Sequence, residues 1–292
     1  MILRSRQDTL PRAAGRFIPR VLQAIARKEF TERMRSRWVQ VTAVGFSVLA
    51  VVIAYLGAAP VGVAGFRDWE VTVISLTSLA TYFVPLMALL LGAGVLVEER
   101  ERGMLDLLRA MPVASWELLT GKYLGLALAL ATALGVGFGL AGVVLMVRMG
   151  TGGLVEYLIF MLNAVLLGFA FLSLAFLVST VLRERSRVMA VAMVLWLVLV
   201  LLYDLGLMGL LILSGGNLGS GVFLALLLLN PVDCFRLMSF LALGEAKVFL
   251  SLTVVDLPAT VRSETLTGVL LLWVGVPLGL SYLFFDRNRD EG

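Results

Sequence analysis

The chain contains no histidine and a single cysteine, Cys234. Without imidazoles, and with one thiol, it lacks the ligand sets that transition metals usually take, and it has no partner for an internal disulfide. A phosphate-binding GxxxxGK[ST] loop is also missing. Gly121-Lys122-Tyr123 has the Gly-Lys pair but neither the upstream glycine nor the hydroxyl residue that follows. No cofactor or metal is therefore expected on this chain; if ATP and Mg drive it, another subunit binds them. The apolar runs carry no paired carboxylates and no nucleophile-base set, which argues against an intramembrane enzyme.

Charge is scarce as well. Asp, Glu, Lys and Arg make up 15% of the residues, against about 25% in a soluble domain. Apolar residues reach 60% and the mean hydropathy is +0.98, so the chain reads as an all-α integral membrane protein. Six runs, at about 39–57, 71–97, 123–147, 157–182, 188–213 and 266–285, approach or exceed the roughly 20 helical residues that cross a hydrocarbon layer. The first begins only after 37 mostly polar residues, which reads as an uncleaved anchor despite the Gly57-Ala58-Ala59-Pro60 sequence.

Lys and Arg set the orientation. In the six-span scheme one side collects residues 1–37, 98–122, 183–187 and 286–292 with 19 basic residues, and the other holds five, Arg67, Arg148, Arg236, Lys247 and Arg262. The basic side is expected to be cytoplasmic, in a bacterial inner membrane, with both termini there. The net charge of +4 follows from this topology, and no nucleic-acid partner is read into it.

Before the first span, Leu22, Ile25, Ala26, Phe30 and Met34 form an apolar stripe opposite Arg27, Lys28, Arg33, Arg35 and Arg37. This is the pattern of a helix lying at the lipid headgroups, entering the bilayer near Trp38. Pro85 permits a kink in the second span. The third is rich in glycine, with a GxxxG pair at Gly135 and Gly139 that predicts close helix packing. Asp204, beside Tyr203, is a carboxylate inside an otherwise uncharged run; pairing is the simpler reading and an ion site the sharper one. Residues 183–187, RERSR, read as an orientation anchor. Met is a common filler of apolar helices, so Cys234 and Met238 do not by themselves make a copper path. Between the fifth and sixth spans, residues 214–263 include the run Val222–Leu229, too short to cross, and then NPVDCFR. A pair of short re-entrant helices on the outer side is expected.

The most informative stretch lies between the second and third spans. Glu98, Glu99, Arg100, Glu101 and Arg102 lead into Met104, Leu107, Leu108 and Met111 at helical spacing, with Asp106 and Arg109 on other faces. Pro112 ends that helix, and Ser115 is placed to cap a second short one through Trp116, Leu118 and Leu119 to Lys122. Glu117 and Lys122 read as the re-entry point to the membrane.

This insert, ERGMLDLLRAMPVASWELLTGKYLG, resembles the E-x-G-T-L-E-x-L-L-x-x-P-V-S segment followed by G-K of type-2 ABC transporter permeases. Met104 stands for the usual Thr and Asp106 for the usual Glu. The segments ARKEFTERMRSRW, LLYDLGLMGLL and LNPVDCFRLMSF extend the similarity toward permeases that serve nitrous oxide reductase maturation. The resemblance implies a single permease domain over 1–292, with a tail and interfacial helix (1–37), a cytoplasmic coupling segment (98–122) and an outer segment (214–263). It implies a non-catalytic homodimer joined by a cytoplasmic ATPase dimer and a periplasmic copper-handling protein of β-helical form, in contact with membrane lipid. ATPase docking would fall on Glu101, Arg102, Gly103, Met104, Leu105, Asp106, Leu107, Leu108, Arg109 and Met111. Outer partner contact would fall on Asn230, Pro231, Asp233, Phe235 and Arg236. An exporter of a lipid-like, drug-like or sulfur-containing substrate and an ion-coupled secondary transporter centred on Asp204 are the rival readings.

Overall fold

The computed structural model describes residues 19–56, 69–101, 103, 115–215, 219–243 and 262–290. Among these residues regular structure is helical throughout. In chain order the helices are α1 (Pro19–Arg35), α2 (Arg37–Leu56), α3 (Trp69–Ala93), α4 (Val95–Glu101), α5 (Ser115–Met149), α6 (Leu154–Val181), α7 (Arg185–Trp196), α8 (Tyr203–Leu213), α9 (Ser220–Leu228), α10 (Pro231–Ala242) and α11 (Ser263–Asp290). A π-helical stretch, Leu197–Leu202, joins α7 to α8. Most of the docking residues proposed above, Arg102 and Met104 to Met111, lie outside the described residues, as do Pro112 and the residues 244–261.

By length and composition five stretches can cross a membrane: Trp69–Glu101, Ser115–Met149, Leu154–Val181, Arg185–Leu213 and Ser263–Arg287. Two bent pairs add to them, α1 with α2 at 67° and α9 with α10 at 110°. Bends of this size suit either a broken span or a re-entrant hairpin.

One expectation changes. Ser115 does not begin a separate short helix, because α5 runs unbroken from Ser115 to Met149. Pro112 is the last breaker in this stretch, and from Trp116 to Leu134 the sequence is Leu- and Ala-rich with glycines only at 121 and 125, so nothing after Ser115 interrupts the backbone ladder.

The centre of the bundle is built by α3, α5 and α6. Phe46 of α2, Phe138 of α5 and Phe160 of α6 pack edge to face in sequence, with centroids 4.8 and 5.0 Å apart, and Phe160 reaches Phe235 of α10 at 6.2 Å. Such tilted pairs add to burial because ring edges are positive and faces negative. Tyr157 is buried beside them and donates to the Phe138 carbonyl at 2.5 Å.

Glycine placement in α5 corrects a second expectation. Gly135 and Gly139 have open space where a Cβ would stand, so among the described residues this GxxxG pair packs nothing within the single chain. The close approaches are those of Gly137 against the Phe46 ring and Gly142 against Tyr157, and near the start of the helix, Gly121 and Gly125 against α1. Replacing Gly137 by Val overpacks the bundle and is expected to lower stability in detergent by about 1–3 kcal/mol. Gly139→Val leaves the single chain within about 0.5 kcal/mol; thermal unfolding of the two variants side by side checks the assignment.

Candidate functional site

Two polar clusters touch α3–α4, one near its end at Glu99 and one near its middle at Thr81, the first on the basic side. Lys122 extends from α5 and its Nζ donates to Glu29 Oε1 of α1 and Glu99 Oε1 of α4, each at 2.5 Å. The Lys122 and Glu29 side chains are 2% and 4% exposed. An ammonium this deep is tolerated only while its charge is answered at close range, and two carboxylates answer it here. Glu99 Oε2 has no partner among the described residues.

Local sequence explains how the three residues meet. Glu29 interrupts the apolar stripe of α1, four residues after Ile25, so it turns inward with that stripe. Gly121 and Gly125 then let α1 lie against α5, where a Cβ at Gly125 would strike the Ala26 carbonyl and the Glu29 side chain. The stripe is thus covered by protein at Ile25 and Ala26. Neighbouring contacts extend the cluster: Arg100 donates to the Leu182 carbonyl at 3.1 Å, and Arg185 meets Glu98 at 3.1 Å. The RERSR loop is therefore tied to the end of α4. The Glu98–Arg185 bridge is half in solvent and contributes little by itself.

The second cluster lies on the far side. Arg236 of α10 donates to Asp204 Oδ2 of α8 at 2.5 Å, to Asp233 Oδ1 at 3.4 Å and, through Nε, to Thr81 Oγ1 of α3 at 3.4 Å. Asp204 is paired, as the simpler reading expected, but with Arg236; Tyr203 donates instead to the Leu226 carbonyl at 2.6 Å. Asn230 caps α10 by accepting from the Val232 N–H at 3.0 Å, with Pro231 in the first turn where no N–H is needed. Its amide also donates to the Leu199 carbonyl at 2.8 Å, inside the π-helical stretch. Trp196 just before that stretch donates to the Tyr82 carbonyl at 3.0 Å.

In this structure the residues proposed for outer contact face inward. Asn230, Pro231, Asp233 and Phe235 are buried, and Arg236 is 17% exposed with its donors directed at this chain. They hold the hairpin to α3, α6 and α8, and side chains so enclosed present no docking surface. Glu117 and Lys122 are likewise buried within the bundle. Of the proposed docking residues, Glu101 and Gly103 are described, both exposed, with Gly103 at φ 66° just after α4. Sequence reasoning missed Glu29 and Thr81. The signal for Glu29 was an acidic residue in an apolar stripe; Thr81 had none.

Cys234 is buried with Leu237, Met238, Leu266 and Leu270, its Sγ 3.7 Å from the Leu227 and Leu228 carbonyls. No group of three or more Cys, Asp or Glu side chains is placed to hold a metal among the described residues.

Comparison with known proteins places this frame. A family model described as "ABC-2 family transporter protein" matches residues 23–289. The chain belongs to that family. It is 41% identical over 271 residues to a "Probable ABC transporter permease protein NosY" of Stutzerimonas stutzeri, covering 90% of this chain and 97% of the relative. It is 39% identical over 278 residues to a protein of the same name from Pseudomonas aeruginosa, covering 92% and 98%. As an ABC transporter permease subunit, similar to NosY, the chain is a multi-pass membrane protein, and such a subunit works with a partner ATPase. The basic-side cluster lies at both roots of the 102–114 insert, Glu99 before it and Lys122 after it.

Lys122→Met would leave two buried carboxylates facing each other, and it is expected to cost about 3–5 kcal/mol. The combined Lys122→Met, Glu29→Gln, Glu99→Gln variant should recover most of that loss. Denaturation of the purified chain in detergent measures both.

Proposed function

We propose that this permease transmits ATP-driven closure of a cytoplasmic ATPase dimer to a protein on the periplasmic side, in assembly of the copper sites of nitrous oxide reductase. Two copies of the chain would sit in a bacterial inner membrane with both termini in the cytoplasm, bounded by membrane lipid. ATP and Mg would be held by the ATPase, which supplies the work.

The observation that carries this reading is the Lys122 cluster. A surface insert can transmit force only if its roots are stiff, and here the residues on either side of it share one buried ammonium with α1. A push on 102–114 would therefore move α4, α5 and α1 together. From Glu99 the α3–α4 helix leads back to Thr81, about 27 Å along the chain at 1.5 Å per residue, where Arg236 holds the far-side hairpin. The reductase assignment rests on the resemblance of ARKEFTERMRSRW, LLYDLGLMGLL and LNPVDCFRLMSF together with the NosY-named relatives. The β-helical, copper-handling partner would meet the outer segment through residues other than the buried Asn230 to Arg236.

The exporter alternative would carry a lipid-like, drug-like or sulfur-containing substrate between two copies of the chain.

Leu107→Asp tests the docking assignment. A charge placed on the apolar face of the insert is expected to weaken ATPase retention more than about tenfold, with membrane insertion unchanged. Co-purification from membranes in mild detergent reads the effect, and full retention of the ATPase by the variant would overturn the assignment.

A further inference from the structure

The far-side cluster has unequal charge. Asp204 and Asp233 share one guanidinium, Arg236, in a region otherwise built from apolar helices. The two acids differ in setting. Asp204 keeps 29% of its side-chain surface exposed, whereas Asp233 keeps 3%. Asp233 Oδ1 faces Arg236 at the long distance of 3.4 Å, and Oδ2 is buried with no hydrogen-bond partner among the described residues. An ionised carboxylate oxygen left bare inside a membrane protein is among the most costly groups to bury.

We infer that Asp204 and Asp233 form a proton-binding site, with one proton held on Asp233 while the α9–α10 hairpin is closed on α8. Three facts argue for a proton over a metal ion. The cluster has one uncompensated negative charge, and one bound proton cancels it. The bare atom is a single buried oxygen, whereas hard cations take about six oxygen ligands. No metal-holding group of acidic side chains is present among the described residues. Two carboxylates close enough to act on each other rarely ionise together in such surroundings.

The site is built to report to the hairpin. Asp233 stands one turn before Arg236 on α10, and Asp204 stands on α8 directly after the π-helical stretch whose Leu199 carbonyl receives the Asn230 amide. The groups that act on Asp233 are Asp204 from α8 and Arg236 and Asn230 from α10 and its cap. Tyr203 of α8 and Cys234 of α10 also feel its charge. From α3 comes the Thr81 hydroxyl, bonded to Arg236, and among the described residues no charged side chain of α6, α9 or α11 acts on it. Losing the proton sets two carboxylates against each other beneath the hairpin. Closure is therefore favoured with the proton bound and weakened as pH rises through its release. This inference does not depend on the ATPase or copper readings.

The chain contains its own reporter. Cys234 is the one cysteine and is buried in the bend of the hairpin, facing the Leu227 and Leu228 carbonyls. Its alkylation by N-ethylmaleimide in the full-length protein, reconstituted in lipid, requires the hairpin to open. Wild type and Asp233→Asn are compared from about pH 6 to about pH 8, each rate divided by that of the same protein unfolded in denaturant at the same pH, which removes the ionisation of the thiol itself. The ratio of wild-type to variant rate should climb with pH, by at most about tenfold per unit because one proton is linked. A ratio that stays flat across the range overturns the site. Should Asp233→Asn fail to fold, Asp204→Asn replaces it, since Asp233 then has Arg236 to itself and the ratio should climb in the same way. Infrared spectroscopy of the wild type provides the independent reading. A protonated carboxylic acid band near neutral pH that is lost in Asp204→Asn supports the site, and a spectrum unchanged by that substitution overturns it.

Discussion

One buried ammonium holds the basic side of this permease together. Lys122 donates to Glu29 and Glu99 at 2.5 Å each, and through them joins α5 to α1 and α4. Removing the lysine strands two carboxylates, and removing either acid unties its helix from the ammonium, so each helix is bound to the position of the other two. The glycines at 121 and 125 are part of the same constraint, since α1 reaches Lys122 only where α5 has no side chain.

The far side uses the same device, one cation between two carboxylates. There one guanidinium serves two carboxylates and a hydroxyl, and it joins the hairpin to α8 and α3. Both clusters touch the α3–α4 helix, at Glu99 and at Thr81, while the aromatic chain of Phe46, Phe138, Phe160 and Phe235 fills the space between α2, α5, α6 and α10. Apolar packing between lipid-like helices is weakly directional, whereas ion clusters have one satisfying geometry. The division of labour follows: aromatic and aliphatic burial supplies cohesion, and the charged clusters set which helices move together.

The glycine-rich α5 shows how the two kinds of surface are separated on a single helix. Gly121, Gly125, Gly137 and Gly142 are each pressed by a neighbouring element, while Gly135 and Gly139 lie on a face with Val136, Leu140 and Val143, all exposed in the single chain. Arg185–Leu213 has a similarly open outer face, whereas Trp69–Glu101 and Leu154–Val181 are mostly enclosed. Spans that make the core and spans that meet the surroundings are thus sharply different in a chain whose apolar composition hardly varies along its length.

Composition, run length and the spacing of apolar residues determined that this is a helical membrane protein, where its long helices lie, and that Val222–Leu229 is too short to cross by itself. These follow from local physics, since a span must be long, apolar and internally hydrogen-bonded whatever surrounds it. The insert motif also carried the family. Which charged residues meet was decided only by the tertiary structure. Glu29, Glu99 and Lys122 are far apart in sequence, as are Thr81, Asp204 and Arg236, and nothing local distinguishes a carboxylate that will be buried and paired from one that will be solvated. The same limit explains the Gly135–Gly139 pair and the residues Asn230 to Arg236, whose inward or outward direction depends on which helix packs alongside. Periodicity tells that a face exists; only packing tells what covers it.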